Sequence, residues 1–158
     1  MATFKDQTLK LVRSSPSRTF ILYPSLVILW ELGLNRGRLP IQPLFIPIML
    51  WGYFQYRLCS NYRKRQGGGR SGSESPPDRL VTSGIYAWTR NPIYLGQIVF
   101  LVGLALSFHS IAAGILAIFV AGWTHSKVLD DEKRLVDLFG ESYVDYRTRV
   151  KRWVPGLI

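Results

Sequence analysis

From Gln97 to His125 the chain runs 29 residues without a Lys, Arg, Asp or Glu, and a dense polar cluster, Lys127 to Glu132, follows at once. The apolar region as a whole, Ile93 to Trp123, has 31 residues. As one helix it would extend about 46 Å, well beyond a hydrocarbon core of about 30 Å. A helical hairpin fits better. Its turn is predicted at Ser107-Phe108-His109-Ser110, the polar cluster of the region, with a helix of about 15 residues on either side. Gly96, Gly103, Gly114 and Gly122, with Ala105, Ala112, Ala113, Ala117 and Ala121, supply the small side chains that let helices approach closely in lipid. A hairpin that crosses a bilayer and returns leaves its two polar flanks on the same side, where they can build one site.

Two further apolar runs precede it. Thr19 to Leu34, interrupted by Pro24 and ending with Trp30, Glu31 and Gly33, is shorter than the roughly 20 residues of a straight span and must recruit flanking residues or sit in a thinned bilayer. Leu39 to Leu58 is long enough. Pro40, Pro43 and Pro47 predict an irregular or kinked start, and Trp51, Tyr53 and Tyr56 resemble an interfacial aromatic belt. Asn61 to Pro77, basic and then rich in Gly, Ser and Pro, reads as a mobile loop. Beyond the hairpin, Leu135, Leu138 and Phe139 recur at helical spacing and Gly140 is a natural stop. A short amphipathic helix follows, with Tyr143, Tyr146 and Val150 on one face, Arg147, Arg149, Lys151 and Arg152 around the others, and Trp153-Val154-Pro155 closing it; it is expected to lie along the membrane interface. The fold class expected is all-α: an integral membrane protein of about four transmembrane helices, including a C-terminal helical hairpin, followed by a cytoplasmic amphipathic helical tail. The expected organisation is a single membrane domain, with two spans in 1–60, a flexible cytoplasmic loop in 61–79 and a cofactor-binding catalytic half in 80–158.

Composition supports this division. The chain is 47% hydrophobic and only 19% charged, yet it carries 20 Lys and Arg against 10 Asp and Glu, a net charge of +10. Such an excess suits nucleic acid, anionic lipid or positive-inside loops until the positions are examined. On the four-span scheme, 18 of the cations fall on one side and two, Arg36 and Arg38, on the other. The bias predicts cytoplasmic termini and a cytoplasmic middle loop, and turns an apparent nucleic-acid charge into a membrane-surface charge. One cysteine, Cys59, leaves no intramolecular disulfide and no cysteine-rich metal site. The basic N-terminus, with Lys5, Lys10, Arg13 and Arg18, is followed by no small-residue cleavage site.

Two motifs flank the hairpin. The first is Leu80-Val81-Thr82-Ser83-Gly84-x-Tyr86-x-x-x-Arg90-Asn91-Pro92-x-Tyr94-x-Gly96, and the second is Asp131-Glu132-x-x-Leu135-x-x-x-Phe139-Gly140-x-x-Tyr143-x-x-Tyr146-x-x-x-Val150. Together, in this order, they resemble the signatures of the isoprenylcysteine carboxyl methyltransferase and phospholipid methyltransferase family. The resemblance covers about Asp78 to Pro155. It departs from the usual pattern at Asn91, where the family has His, at Asp78, where some members have His, and at Asp131, which replaces Glu.

The resemblance implies an integral membrane enzyme that moves a methyl group from S-adenosylmethionine to a membrane-embedded or amphipathic acceptor, with the cofactor held on the cytoplasmic side by both motifs. Cofactor contacts would fall on Leu80, Val81, Tyr86, Asn91, Pro92, Ile93, Tyr94, Asp131 and Glu132. Lys127 would correspond to a basic residue facing the acceptor. Chemistry agrees with that assignment. A sulfonium and an ammonium favour nearby carboxylates, Arg90 can fork onto a carboxylate, and Tyr86 or Tyr94 can face a cation or pack on adenine. The catalytic set expected is Arg90, Lys127 and Glu132, with Lys127 orienting a carboxylate acceptor or Glu132 taking a proton from an amine or thiol. Methyl transfer in line asks for no metal and no covalent intermediate; the demand is near-attack geometry with water excluded.

Plainer readings stand beside these. Asn91 and Pro92 could simply start a span, as cap and first helical residue. The acids from Asp130 to Glu132 could be a solvated helix face paired with Lys127, Lys133 and Arg134. Tyr143 and Tyr146 read as packing residues, His109 as a turn residue, His125 as an interfacial anchor, and Glu31 as an acid snorkelling to the surface. Two other functional classes also remain open: an NADPH-dependent membrane reductase of the steroid 5-alpha-reductase type, and a non-enzymatic adaptor whose basic faces hold anionic lipid. The expected partners are membrane lipids and a lipid, lipidated or small hydrophobic substrate, with no nucleic acid.

Overall fold

The structure, a computed structural model, describes residues 14–68 and 77–154. The basic residues Lys5, Lys10 and Arg13, the centre of the Gly, Ser and Pro-rich loop, and Pro155 lie outside the described residues. The described residues contain helices and no β-strand, so the all-α expectation holds. One α-helical turn, Ser15–Ser17, passes through a π-helical stretch, Arg18–Leu22, into α1, Tyr23–Leu34. A 3₁₀ turn, Pro43–Phe45, leads into α2, Ile46–Gly67; a second, Gly84–Ala87, precedes α3, Pro92–Ser107; α4, Ile111–Phe139, and α5, Glu141–Arg149, complete the order.

Sequence chemistry explains most of these limits. The prolines of the second run delay its helix: Leu39 to Gln42 are non-helical, and α2 begins at Ile46 with Pro47 in its first turn, where a missing N–H costs nothing. The other end departs from expectation. Helix α2 continues to Gly67, so the residues from Asn61 to Gly67 are helical rather than loop. The hairpin turn falls where the polar cluster predicted it, between Ser107 and Ile111, with His109 in the left-handed region at φ 47°. Helix α4 is longer than expected. It does not stop at the polar cluster but carries Lys127 to Glu132 on the same 29-residue helix and ends before Gly140, whose φ of 55° suits a residue without a Cβ.

Among the described helices, Ile111–Phe139 is long and apolar enough to cross a membrane, while Pro92–Ser107 is apolar but shorter. Helices therefore occupy all four predicted span positions, and one of them meets the length and composition of a crossing.

The chain divides into two compact units, Met1–Tyr53 with Gln97–Ile118, and Phe54–Gly96 with Phe119–Ile158. This division cuts across the expected sequence halves. In the first unit, α2 and α3 approach closely at Gly103, where an added Cβ would come within 2.6 Å of the Met49 Cα. The Phe20 ring stands edge-on to Tyr53 at 5.1 Å and to Phe100 at 4.8 Å, the geometry aromatic quadrupoles favour. The Gln42 amide donates to the Ser107 carbonyl at 2.7 Å, and the Ser15 hydroxyl to the Gln97 side-chain carbonyl at 3.3 Å. Ile111, Ile115 and Ile118, spaced along one face of α4, are all largely exposed, a stripe that water would not leave uncovered at low cost.

Glu31 does not snorkel. It is buried, and Asn35 Nδ2 donates to its Oε2 at 3.0 Å and to its backbone carbonyl at 2.9 Å, so the carboxylate serves the end of its own helix. The aromatic belt is also partial: Trp51 and Tyr53 are exposed, whereas Tyr56 is buried.

Candidate functional site

The second unit gathers both sequence motifs. Pro92 opens α3 and the Asn91 carbonyl accepts the Leu95 amide at 3.0 Å, as the plainer reading requires of a helix start. That corner is also tied to the chain beyond α5. The Arg90 amide donates to the Lys151 carbonyl at 3.0 Å, while Thr89 Oγ1 and Asn91 Nδ2 donate to the Arg152 carbonyl at 3.1 and 3.3 Å. With an amide in place of the family's imidazole, Asn91 makes a neutral, permanent bond here and no titratable one.

Arg90 is the hub. Its Nη1 donates to the carbonyls of Arg147 and Val150 at 2.8 and 3.2 Å, and its Nη2 to Glu132 Oε1 at 2.9 Å. Arg152 reaches the same carboxylate from its other side, Nε to Oε1 and Nη2 to Oε2, each at 3.0 Å. Arg90 and Glu132 are 7% and 5% exposed at their side chains, so this is a buried pair in which two guanidiniums share one carboxylate. The outward fork expected of Arg90 is thus occupied, and Glu132, accepting three charge-assisted bonds, is fully committed. The acidic cluster is not a purely solvated face: Asp130 pairs with Lys133 in solvent, but Glu132 points inward.

Asp131 points elsewhere. The Tyr94 hydroxyl donates to its Oδ2 at 2.9 Å, and Arg134 stands 3.9 Å from its Oδ1. Lys127 lies over the face of Tyr94, its Nζ 5.6 Å from the ring centroid. Around these groups opens a cleft enclosing about 770 Å³, part of it open to solvent. Of the residues singled out from the sequence, Leu80, Val81, Tyr86, Arg90, Asn91, Pro92, Ile93, Tyr94 and Asp131 line it; Lys127 and Glu132 do not. Donors on its walls that are buried with no hydrogen-bond partner include the Tyr86 hydroxyl and Arg90 Nε. Since most buried donors in folded chains are satisfied, two orphans on one cleft mark a place where a ligand's acceptors fit.

Helix α5 closes the cleft from one side. Tyr143, Tyr146 and Val150 are buried against Leu80, Leu135, Val136 and Phe139. This corrects the expectation of an interfacial helix: its apolar face packs on α4 and the first motif and is unavailable to lipid. The Tyr146 hydroxyl donates to the Tyr86 carbonyl at 2.6 Å, which ties α5 to the first motif. Burial, with the Glu132 charge adding to it, pushes the Tyr143 phenol up to about 12; burial also raises Tyr86 and Tyr146, so all three stay neutral over working pH. The hydrogen bond to Glu132 raises Arg152 further still. His125 accepts the Trp153 indole N–H on Nδ1 at 3.2 Å, which ties the tail to α4.

Sequence reasoning missed Arg63, Arg134 and Arg152. Arg63 lines the cleft because α2 outruns its apolar stretch. The signal was present as a helical face, since Tyr56 and Cys59, both buried, precede Arg63 at spacings of seven and four. Arg152 carried no such signal, because its role depends on α5 folding back.

Comparison with known proteins agrees with the geometry. Residues 68–142 match the family model for phospholipid methyltransferases. Over 83 residues the chain is 34% identical to the protein-S-isoprenylcysteine O-methyltransferase of Mus musculus, a stretch that is 52% of this chain and 29% of that protein. The Rattus norvegicus protein gives the same figures. Over 86 residues it is 33% identical to methanethiol S-methyltransferase 1 of Bradyrhizobium diazoefficiens, 53% of this chain and 29% of that one. The chain therefore spans about a third of the length of these relatives in the region of likeness. That region contains both motifs and the hairpin between them, and over it the chain is similar to phospholipid and isoprenylcysteine methyltransferases.

Proposed function

We propose that this chain is a multi-pass membrane methyltransferase that binds S-adenosylmethionine in the cleft of its second unit and methylates a hydrophobic or lipid-linked acceptor. The observation that carries the reading is the meeting of both motifs on one cleft with two unsatisfied buried donors, Tyr86 Oη and Arg90 Nε. S-adenosylmethionine has the acceptors such donors require, in its ribose and carboxylate, and it has cationic centres for Asp131. The residues present fit it.

When bound, S-adenosylmethionine supplies a methyl group activated by a sulfonium. The chain's part is to hold, orient and keep dry. Asp131, fixed by the Tyr94 hydroxyl, offers a carboxylate to a cationic ligand, and is shorter by one methylene than the family's Glu. Leu80, Val81, Pro92, Ile93 and Leu135 form an apolar wall that excludes water. Glu132, between Arg90 and Arg152, holds the corner in place rather than moving a proton. Lys127, over the ring that fixes Asp131, stands next to a lining residue of the cleft and is the group assigned to orient an anionic acceptor.

The acceptor follows from no single feature. A prenylcysteine carboxylate, a phospholipid amine and a small thiol all agree with the family and with the relatives' activities. For the membrane, the exposed stripe Ile111, Ile115 and Ile118 supports lipid contact, and the distribution of 18 cations against two supports four crossings with termini and cleft in the cytoplasm. Calorimetry on the full chain in lipid nanodiscs tests the reading: binding of S-adenosylhomocysteine but not NADPH is expected. NADPH binding alone would instead indicate a reductase, and binding of neither would leave a lipid adaptor. Radiolabelled S-adenosylmethionine added to membranes containing the protein then identifies the acceptor by the molecule that gains label.

A further inference from the structure

The first motif lies against the polar end of α2. The Arg79 amide donates to the Gly67 carbonyl at 2.9 Å, which fastens the start of the motif to the last turn of that helix. Tyr62, half-buried earlier on the same helix, then meets the motif in three ways. Its hydroxyl shares a hydrogen bond with Ser83 Oγ at 2.9 Å. At Gly84, where φ is 60°, an added Cβ would come within 2.8 Å of Tyr62 Cζ, so the backbone passes close against the ring. The Tyr86 ring stacks on the Tyr62 ring, centroids 6.4 Å apart and planes 19° from parallel, within the range at which offset aromatic pairs attract. The main chain of Tyr86 is fixed as well, because its carbonyl accepts the Tyr146 hydroxyl at 2.6 Å. Backbone and ring are thus both held, the one from α5 and the other from α2. Yet the Tyr86 hydroxyl is buried with no hydrogen-bond partner, on a residue that lines the cleft. Burial raises the phenol well above its ordinary range, so the hydroxyl keeps its proton to donate.

Resting on the methyltransferase reading, we propose that Tyr62 is a positioning residue for donor binding: its ring holds the Tyr86 phenol in place to meet an acceptor atom of S-adenosylmethionine. A ring oriented beforehand loses little freedom when the ligand arrives, so its bond counts more fully toward affinity. Tyr62 is not among the residues that line the cleft, and its effect on a ligand passes through the ring it stacks on. It also precedes residues 68–142, the stretch that matches the family model.

The test is a double-mutant cycle, read by calorimetry of S-adenosylhomocysteine on the full chain in nanodiscs. Tyr86→Phe, which removes only the hydroxyl, should weaken binding by roughly threefold to tenfold. Tyr62→Leu, which leaves that hydroxyl in place but removes the ring that orients it, should weaken binding about threefold or more. Because both changes act on one bond, the variant carrying both should bind within about twofold of Tyr86→Phe alone. Tyr62→Phe keeps the stacked ring and should restore binding to within about twofold of the wild type. Losses that multiply in the double variant overturn the proposal, because Tyr62 would then be shaping the cleft independently of the Tyr86 hydroxyl. Unchanged binding in Tyr62→Leu overturns it as well, and so does a Tyr62→Phe variant as weak as Tyr62→Leu. If Tyr62→Leu does not fold, as judged by thermal unfolding, Tyr62→Met, which fills more of the vacated space without a ring, enters the same cycle and decides on the same terms. A wild-type chain that does not bind S-adenosylhomocysteine brings down the methyltransferase reading itself, whereas wild-type binding without coupling between the two tyrosines brings down this role of Tyr62 alone.

Discussion

At the scale of residues, the second unit is organised by one buried carboxylate. Glu132 neutralises Arg90 and Arg152 together, and a buried charge left without its partner is costly. Glu132→Gln should therefore destabilise the protein by about 3–5 kcal/mol, read as a fall in the thermal unfolding midpoint in detergent. Arg152→Lys, which keeps the charge and loses the fork, should cost less. Asp131 is a different kind of acid. Its neighbour Glu132 faces the interior, whereas Asp131 faces the cleft, so Asp131→Asn should leave the unfolding midpoint nearly unchanged and weaken S-adenosylmethionine about tenfold, measured by calorimetry. The tyrosines set an alkaline limit. Tyr86, Tyr143 and Tyr146 all have folded-state pKa values raised above their ordinary 10. A raised acid favours the folded state's neutral form, so its contribution is full below pH 10 and is lost as the pH climbs toward the folded values. Stability should fall between pH 10 and about 12, and in Tyr143→Phe the fall should be smaller; urea unfolding at pH 8 and pH 11 checks both.

At the scale of elements, the residue pattern gave reliable starts and stops where a single strong signal acted. Pro92 opened α3, the Ser and His cluster closed it, and Gly140 separated α4 from α5. The pattern failed where apolar content and helix length diverge. Both α2 and α4 continue beyond their apolar stretches, because helical hydrogen bonding needs neither apolar side chains nor lipid, and the polar turns pack on other parts of the second unit. Those extensions reach the cleft and its support: one carries Arg63 to the wall, the other Asp131 to the wall and Glu132 to the buried pair behind it. Helix contact in the first unit is governed by Gly103, whose missing side chain admits the Met49 backbone. Gly103→Leu should separate α2 from α3 and destabilise by about 1–3 kcal/mol or more, seen as a lowered melting midpoint, whereas Gly114→Leu, with open space around it, should be tolerated.

For the whole molecule, the prediction concerns sidedness. With Cys59 replaced by Ala, single cysteines at Ser83 and Lys133, both exposed, should react with a membrane-impermeant maleimide from the cytoplasmic side, and a cysteine at His109 from the opposite side. Labelling of Ser83 and Lys133 from opposite sides would mean that no hairpin returns the chain, and the cleft could not form. The sequence by itself determined the helical class and the hairpin with its turn, because these follow from hydropathy and from proline and glycine stereochemistry, all of which are local; the residues that line the cleft were named by the family resemblance that the two motifs carry. Which charges meet was decided only by the tertiary structure. The chain beyond α5 had to fold back for Arg152 to take Glu132, for its carbonyl to hold Asn91, and for Arg90 to be turned from a ligand's partner into a strut. Pairing of that kind depends on which buried carboxylate lies within about 3 Å of which guanidinium, a distance between residues far apart in sequence that no pattern along the chain encodes.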